Sequence, residues 1–502
     1  MLELLAYGFS EVFQPTTLAW LLFGTFIGVV VAGMMPGTTG TLGLILVLPL
    51  TFYLPPSTSL ILLSAVFCGS MMGGAVTAIL LNIPGTPSAG ATVLDGYPLC
   101  KQGKAGKAIG IATISAFVGG IASTVVMILL APQLARVALQ FQSADMFSLS
   151  IFGLSIMATA SGKNIVKGLI AGFIGLITST VGMDQIMGAA RFTFGNFNLM
   201  GGLQMLPVLV GVFAFAQLFV DVRNPPLTAV VNEKITEIFP TLRELKGVMP
   251  SITIGAVIGV LFGVIPGISG VLAAFTAYNV AQKFSKNKDK FGSGALEGVA
   301  APETANNALT GGAMVPTLVL GIPGDPITAV MLGAFILIGV MPGPQLFIES
   351  PQMIYTVFSG WIVIQFAMLI MGFLTARFAP YVLRISPRLL LPMISVLCVV
   401  GVFGLSNSLF DVQVALVFGI VGYILTKYDY PMGPLLLGLI LGPMAEENLN
   451  RAMLTSGNNI MIFFQRPFSL AFLIVAFICV IFPLVTFILS KLKNKAAENT
   501  AD

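Results

Sequence analysis

Apolar residues along this chain gather in long runs broken by proline and glycine. The runs lie near 18–35, 40–54, 58–82, 108–135, 146–160, 165–183 and 199–222. A polar, charged stretch extends from Asp221 to Pro250, and further runs lie near 251–265, 269–282, 305–322, 327–341, 353–376, 389–405, 411–427, 432–444 and 467–490. An uninterrupted apolar segment of about 20 residues crosses a bilayer as a helix. The pattern therefore predicts an all-α, polytopic membrane protein in the lipid bilayer, with length for roughly a dozen spans. Several runs are too short to cross alone, which predicts broken or re-entrant helices among them.

The sparse basic residues predict orientation. Lys101, Lys104 and Lys107 form one group, and Lys163 and Lys167 a second. Arg223, Lys234, Arg243 and Lys246 lie in the central link, Arg377, Arg384 and Arg388 form a fourth group, and Lys491, Lys493 and Lys495 follow the last run. Cytoplasmic loops carry the excess of Lys and Arg. If the four runs between Lys107 and Arg223 all cross, every group falls on the cytoplasmic side and the N-terminus is periplasmic. No basic residue precedes Lys101, so no cleavable signal peptide is expected.

The runs repeat. Gly33-Met34-Met35-Pro36-Gly37-Thr38-Thr39-Gly40 reappears as Gly263-Val264-Ile265-Pro266-Gly267-Ile268-Ser269-Gly270, a shift of 230 residues from 36 to 266. Asn82-Ile83-Pro84-Gly85-Thr86-Pro87 reappears as Gly321-Ile322-Pro323-Gly324-Asp325-Pro326, a shift of 239 from 84 to 323. Small-residue patches, Gly73-Gly74-Ala75 and Gly311-Gly312-Ala313, precede the second pair, and Phe152-Gly153-Leu154-Ser155 echoes as Phe403-Gly404-Leu405-Ser406. Run 108–135 leaves a basic loop whereas its partner, 353–376, enters one, so the repeat reads as inverted. The organisation expected is a first membrane repeat over 1–222, a cytoplasmic link over 223–250, a second repeat over 251–490 and a cytoplasmic tail over 491–502. Inverted repeats with interrupted helices are a feature of secondary transporters, whose sites lie at the repeat interface.

Proline removes a backbone donor and glycine relaxes the chain, so each Pro-Gly pair predicts a helix break. The amide ends of the resulting half-helices attract anions without needing a cationic side chain. This makes Pro36, Gly37, Thr38, Thr39, Gly40, Pro266, Gly267, Ser269 and Gly270 candidates for holding substrate carboxylates. Asn82, Pro84, Gly85, Thr86, Pro87, Ser88, Pro323, Gly324 and Pro326 are candidates for closing the site. The alternative is that these are capped kinks alone. Thr86-Pro87 and Asp325-Pro326 read as an N-cap followed by proline at the first helical position. Asp325, a carboxylate at membrane depth, is the candidate for a coupling sodium ion or proton, or else a helix cap at a water-accessible mouth. Glu303, Asn306 and Asn307 either line the same vestibule or sit in a solvated loop after 283–290, with Glu297 assigned to the loop. Asp95, in Leu94-Asp95-Gly96-Tyr97-Pro98, reads as a turn residue.

Composition narrows the function. The chain is 56% hydrophobic and 9% charged, with a net charge of only +4, so its basic residues act as topology signals and no nucleic-acid partner is expected. It has no histidine, the commonest general base and metal ligand. Its four cysteines form no CxxC pair and read as small core residues. No Walker motif or nucleophile elbow is present; Gly103-Lys104-Ala105-Gly106-Lys107 lacks P-loop spacing. The chain is thus not expected to be an enzyme or to need an organic cofactor.

At 33–40, 69–98, 104–110, 263–270, 321–326, 339–344, 441–448 and 463–467 the sequence resembles the large membrane subunit of the tripartite tricarboxylate transporters. The resemblance covers nearly the whole chain. It implies a bacterial inner-membrane complex with a small membrane subunit and a periplasmic solute-binding protein. It also implies uptake of citrate-like tri- or dicarboxylates, driven by a sodium or proton gradient. A membrane scaffold, an integral-membrane enzyme, or a channel without coupled transport are the competing readings. The repeated breaks favour transport.

Overall fold

The computed structural model describes residues 1–35, 38–160, 165–184, 188–223, 235, 237–383 and 387–498; Pro36, Gly37, Lys163, Lys234 and Arg384 lie outside them. It is helical nearly throughout, as the apolar runs predict. The first half runs through α1 (Leu2–Val12), α2 (Pro15–Phe26), a π-helical turn (Ile27–Met34), α3 (Gly40–Thr51), α4 (Pro56–Leu81), a 3-10 turn (Pro87–Ala89), α5 (Gly90–Lys101), α6 (Ala105–Ala138), α7 (Ser143–Ala160) and α8 (Ile165–Ser179). A two-residue antiparallel pair, Gly182–Met183 with Ala190–Arg191, precedes α9 (Met205–Leu209) and α10 (Ala216–Arg223), which a π-helical turn joins. The second half comprises α11 (Leu242–Val264), α12 (Gly270–Phe284), α13 (Leu296–Leu320), α14 (Pro326–Leu337), α15 (Leu346–Glu349), α16 (Pro351–Val382), α17 (Pro387–Ser406), α18 (Leu409–Lys427), α19 (Met432–Thr455), α20 (Ile462–Gln465) and α21 (Pro467–Glu498).

Among the described residues, seven helical segments are long and apolar enough to cross a membrane: Pro15–Met34, Pro56–Leu81, Ala105–Ala138, Met205–Arg223, Leu242–Val264, Pro351–Val382 and Leu409–Lys427. Other apolar helices are shorter, among them Gly40–Thr51 and Pro326–Leu337, which begin directly after the Pro-Gly breaks. Three of the breaks thus follow a span-length segment: Pro15–Met34, Pro56–Leu81 and Leu242–Val264.

The chain forms two compact units. The first comprises Met1–Ala138 and Leu206–Tyr423. At its centre lie α4 and α13, buried along nearly their whole length. Both carry small residues where neighbours cross. Gly255, Gly259 and Gly263 of α11 lie against Ala301, Ala305 and Leu309 of α13, and Gly24 and Gly28 lie against Leu62 and Val66 of α4. Small residues spaced by four let helix backbones approach closely, which favours van der Waals packing in a membrane.

The second unit comprises Leu139–Met205 and Ile424–Asp502. Here α19 packs on α7 and α8, with Gly172 and Gly175 meeting Gly438 and Leu435. The fully buried Asp145 of α7 accepts from Arg466 Nε at 2.8 Å and Nη2 at 2.6 Å, and from the Ser469 amide at 3.1 Å. Arg191 pairs with Glu446 through both guanidinium nitrogens of its fork. That hydrogen bond raises the Arg191 pKa above its ordinary value.

Candidate functional site

The four helix breaks all lie in the first unit, and the two halves share the left-handed helix ends and the hydroxyl caps. Helix α4 ends on Asn82 at φ 60°, ψ 22°, and α13 ends on Gly321 at φ 67°, ψ 23°. Left-handed backbone suits glycine, and asparagine is the usual non-glycine substitute. Helix α3 is capped by Thr39, whose hydroxyl accepts from the Leu42 amide at 3.2 Å; α12 is capped by Ser269, which accepts from Leu272 at 3.4 Å. Each cap fills one amide, and the other first-turn amides have no acceptor within their own helix.

Asp325 caps α14 in a reciprocal box: its Oδ1 accepts from the Thr328 amide at 2.7 Å, and the Thr328 hydroxyl accepts from the Asp325 amide at 2.9 Å. Its first-half counterpart is different. Thr86 stands at the start of the Pro87–Ala89 turn, as expected, but makes no capping bond; its hydroxyl lies 3.2 Å from that of Ser88. Thr38 donates to the carbonyls of Val31, at 2.5 Å, and Met35, at 2.6 Å, stitching up acceptors freed by the break.

Within each half the two breaks rest on one another. A Cβ on Gly85 would meet the Gly33 carbonyl, and the Gly85 amide donates to Gly74 at 3.3 Å. In the second half, the Gly267 amide donates to the Gly324 carbonyl at 3.0 Å. Across the halves they pair crosswise. Gly40 lies beside Ser70 and Ile327, just past Asp325-Pro326, and Gly270 lies beside Ser88 and Asn306.

The two crosswise pairs differ in access. Thr38, Gly40, Gly321, Ile322, Pro323 and Gly324 are buried. Asn82, Pro84, Pro87 and Ser269 are exposed, with Gly85, Pro266, Gly267 and Gly270 half-buried and Thr86 and Ser88 buried behind them. Pro326 is exposed and Asp325 half-buried. The structure thus gathers the described candidates into one mostly buried junction and one more open junction.

Helix α13 adds groups whose role the sequence left open. Glu303, Asn306 and Asn307 are in the middle of a helix, not a loop, and are 0%, 0% and 1% exposed. The spacing i, i+3, i+4 puts them on one helical face. The Thr92 hydroxyl donates to Glu303 Oε1. The Asn306 amide donates to the Met71 carbonyl at 3.1 Å, and that of Asn307 to the Glu303 carbonyl at 3.0 Å. Glu303 Oε2, Asn306 Oδ1 and Asn307 Oδ1 have no hydrogen-bond partner among the described residues. Helical spacing within the small-residue stretch 298–313 was the signal that could have separated them from the loop before it.

Two further expectations are corrected. Glu297, assigned to a loop, lies in the first turn of α13 and accepts from Ser285 Oγ at 2.8 Å. Asp95 is not a turn residue: it lies inside α5, 0% exposed. Its Oδ1 accepts from the amides of Gly294 and Ala295, both at 2.8 Å, and its Oδ2 from Tyr278 Oη at 2.9 Å, which ties α5 and α12 to the start of α13.

Two cavities adjoin these elements. One, of about 520 Å³, is lined by apolar groups such as Phe23, Ile27, Val31, Leu46 and Met393 together with Thr38, and offers no charged group to a carboxylate. The other, of about 360 Å³ at the start of α13, is lined by Lys104, Lys107 and Lys290 beside Glu244 and Glu297. Lys107 is paired with Glu244 at 3.0 Å and Glu237 at 3.2 Å.

Comparison with known proteins agrees with the motifs. The family model of the tripartite tricarboxylate transporter TctA family matches residues 18–437. An "uncharacterized 52.8 kDa protein in TAR-I ttuC′ 3′ region" of Agrobacterium vitis is 35% identical over 487 residues, 97% of each chain. An "uncharacterized protein in TAR-II ttuC′ 3′ region" of the same organism is 39% identical over 233 residues, 46% of this chain and 96% of the relative. No solved structure matches. With matching motifs, an all-helical architecture and a family match over most of its length, the chain is a multi-pass membrane protein and belongs to the tripartite tricarboxylate transporter TctA family.

Proposed function

We propose that this chain is the large transmembrane subunit of a binding-protein-dependent secondary transporter of the bacterial inner membrane. It imports citrate-like tri- or dicarboxylates together with a sodium ion or proton. Its partners are a small membrane subunit and a periplasmic solute-binding protein, which hands over the substrate. The observation that carries this reading is the crosswise meeting of half-helix ends in a chain of this family, with the uncharged Ser88 and Gly270 at the more open junction. Amides at the start of α12 receive a carboxylate there, beside the Ser269 cap, while Thr86 and Ser88 contribute hydroxyls. The segments around 36–40, 82–88, 266–270 and 321–326 contain no Lys or Arg, so in this reading amide and hydroxyl donors supply the anion recognition. Asp325 would repel a carboxylate, so in this reading the substrate sits at the other junction, beside Ser88 and Gly270.

The test is uptake of radiolabelled citrate and smaller dicarboxylates into proteoliposomes, with and without the two partners and with an imposed sodium or pH gradient. Saturable, gradient-dependent uptake that needs the binding protein is expected, with little by the chain alone. Non-saturating, gradient-independent flux would indicate a channel. A complete absence of carboxylate flux in the assembled complex would favour a scaffold.

A further inference from the structure

The unpaired oxygens of α13 call for a ligand that accepts lone pairs. Both asparagine amides are committed to backbone carbonyls, which fixes the rotamers so that each Oδ1 is the open atom. Glu303 has one oxygen taken by Thr92 and one free. Buried acceptors are almost always satisfied, and three unsatisfied ones on a single helical face share one deficit: positive charge or donors.

We propose that Glu303, Asn306 and Asn307 form a binding site for a monovalent hard cation, sodium in the first instance, adjoining the open junction. Oxygen-only ligands select hard cations over transition metals. A single carboxylate among neutral amides balances one positive charge, whereas a divalent ion would leave an excess charge buried. Asn306 Oδ1 and Ser88 Oγ lie 3.3 and 3.7 Å from the position of a Cβ on Gly270, so the cation is held beside the half-helix end proposed to receive the carboxylate. Each charge then stabilises the other, which couples their binding. That role rests on the transport reading above; the binding itself does not. The site is distinct from Asp325, whose Oδ1 is filled by its own helix.

The experiment uses the purified full-length chain in detergent without substrate. Its thermal unfolding is followed against sodium chloride, with choline chloride at equal ionic strength as the control. A saturable rise in Tm specific to sodium is expected. It should be lost in Glu303→Gln, and its sodium midpoint should rise about tenfold or more in Asn306→Ala and Asn307→Ala, as losing one ligand bond implies. No sodium-specific rise in the native chain overturns the site. So does a Tm that follows pH but not sodium, which marks a proton site, or a sodium response that survives Glu303→Gln and vanishes in Asp325→Asn. Should Glu303→Gln fail to fold, an unchanged midpoint in Asn307→Ala overturns it equally. Because no carboxylate is present, a sodium response with no carboxylate uptake would sink the transport reading and leave the cation site standing.

Discussion

Helix α13 carries two buried carboxylate environments less than three turns apart. At its start, Asp95 reaches over from α5 and every acceptor has a donor: two amides on Oδ1 and a phenol on Oδ2. In its middle, Glu303 has one oxygen bonded and one bare, with two bare amide oxygens on the same face. The first arrangement is complete in the protein alone; the second is complete only with something added. A buried carboxylate thus declares its role by whether its acceptors are filled, since leaving a buried polar group unpaired carries the full desolvation penalty.

The comparison predicts a graded set of stability changes, measurable by thermal or denaturant unfolding of the purified chain. Asp95→Ala strips the acceptor from three donors at once and should cost about 3–5 kcal/mol, as for a broken buried charge network. A loss under about 1 kcal/mol would break the contrast. Gly298→Ala is next. Its methyl group would run into Asp95 Oδ2 and lie 3.1 Å from the Tyr278 ring, so about 1–3 kcal/mol of overpacking is expected. Tyr278→Phe removes one donor from Asp95 and should cost about 1–2 kcal/mol.

Asp325→Ala removes a helix cap and should cost about 1 kcal/mol; double that amount would mean the carboxylate is doing more than capping α14. The smallest change belongs to Glu303→Gln. The amide keeps an oxygen for Thr92 and removes a buried charge, so stability without sodium should fall by less than about 1 kcal/mol or rise. A loss as large as that of Asp95→Ala would place Glu303 in the same closed class.

Much of the backbone chemistry was legible beforehand. Pro-Gly pairs break helices wherever they fall, and Thr39, Ser269 and Asp325 cap the helices that restart, because capping is decided within one turn of sequence. Asn82 and Gly321 take left-handed backbone for a reason equally local. The polar residues were less legible. Leu94-Asp95-Gly96-Tyr97-Pro98 has the composition of a turn, yet it is helical, and Tyr278, Gly294 and Ala295, nearly 200 positions away, satisfy its buried carboxylate. Glu303, Asn306 and Asn307 follow a lysine-rich stretch, and nothing in their neighbours said whether water or protein would surround them.

By itself the sequence determined that the chain is helical and membrane-embedded, that its helices are interrupted at four corresponding places, and that Asp325 caps one restart, whereas Thr86 makes no capping bond. These follow from hydrophobic run length and from the steric rules of proline, glycine and short polar side chains. Only the tertiary structure decided that the breaks meet crosswise, that one junction is mostly buried and the other more open, and that three oxygens on α13 are left without partners among the described residues. Hydrogen-bond satisfaction and access belong to the packed assembly of distant segments, so no local pattern could encode them.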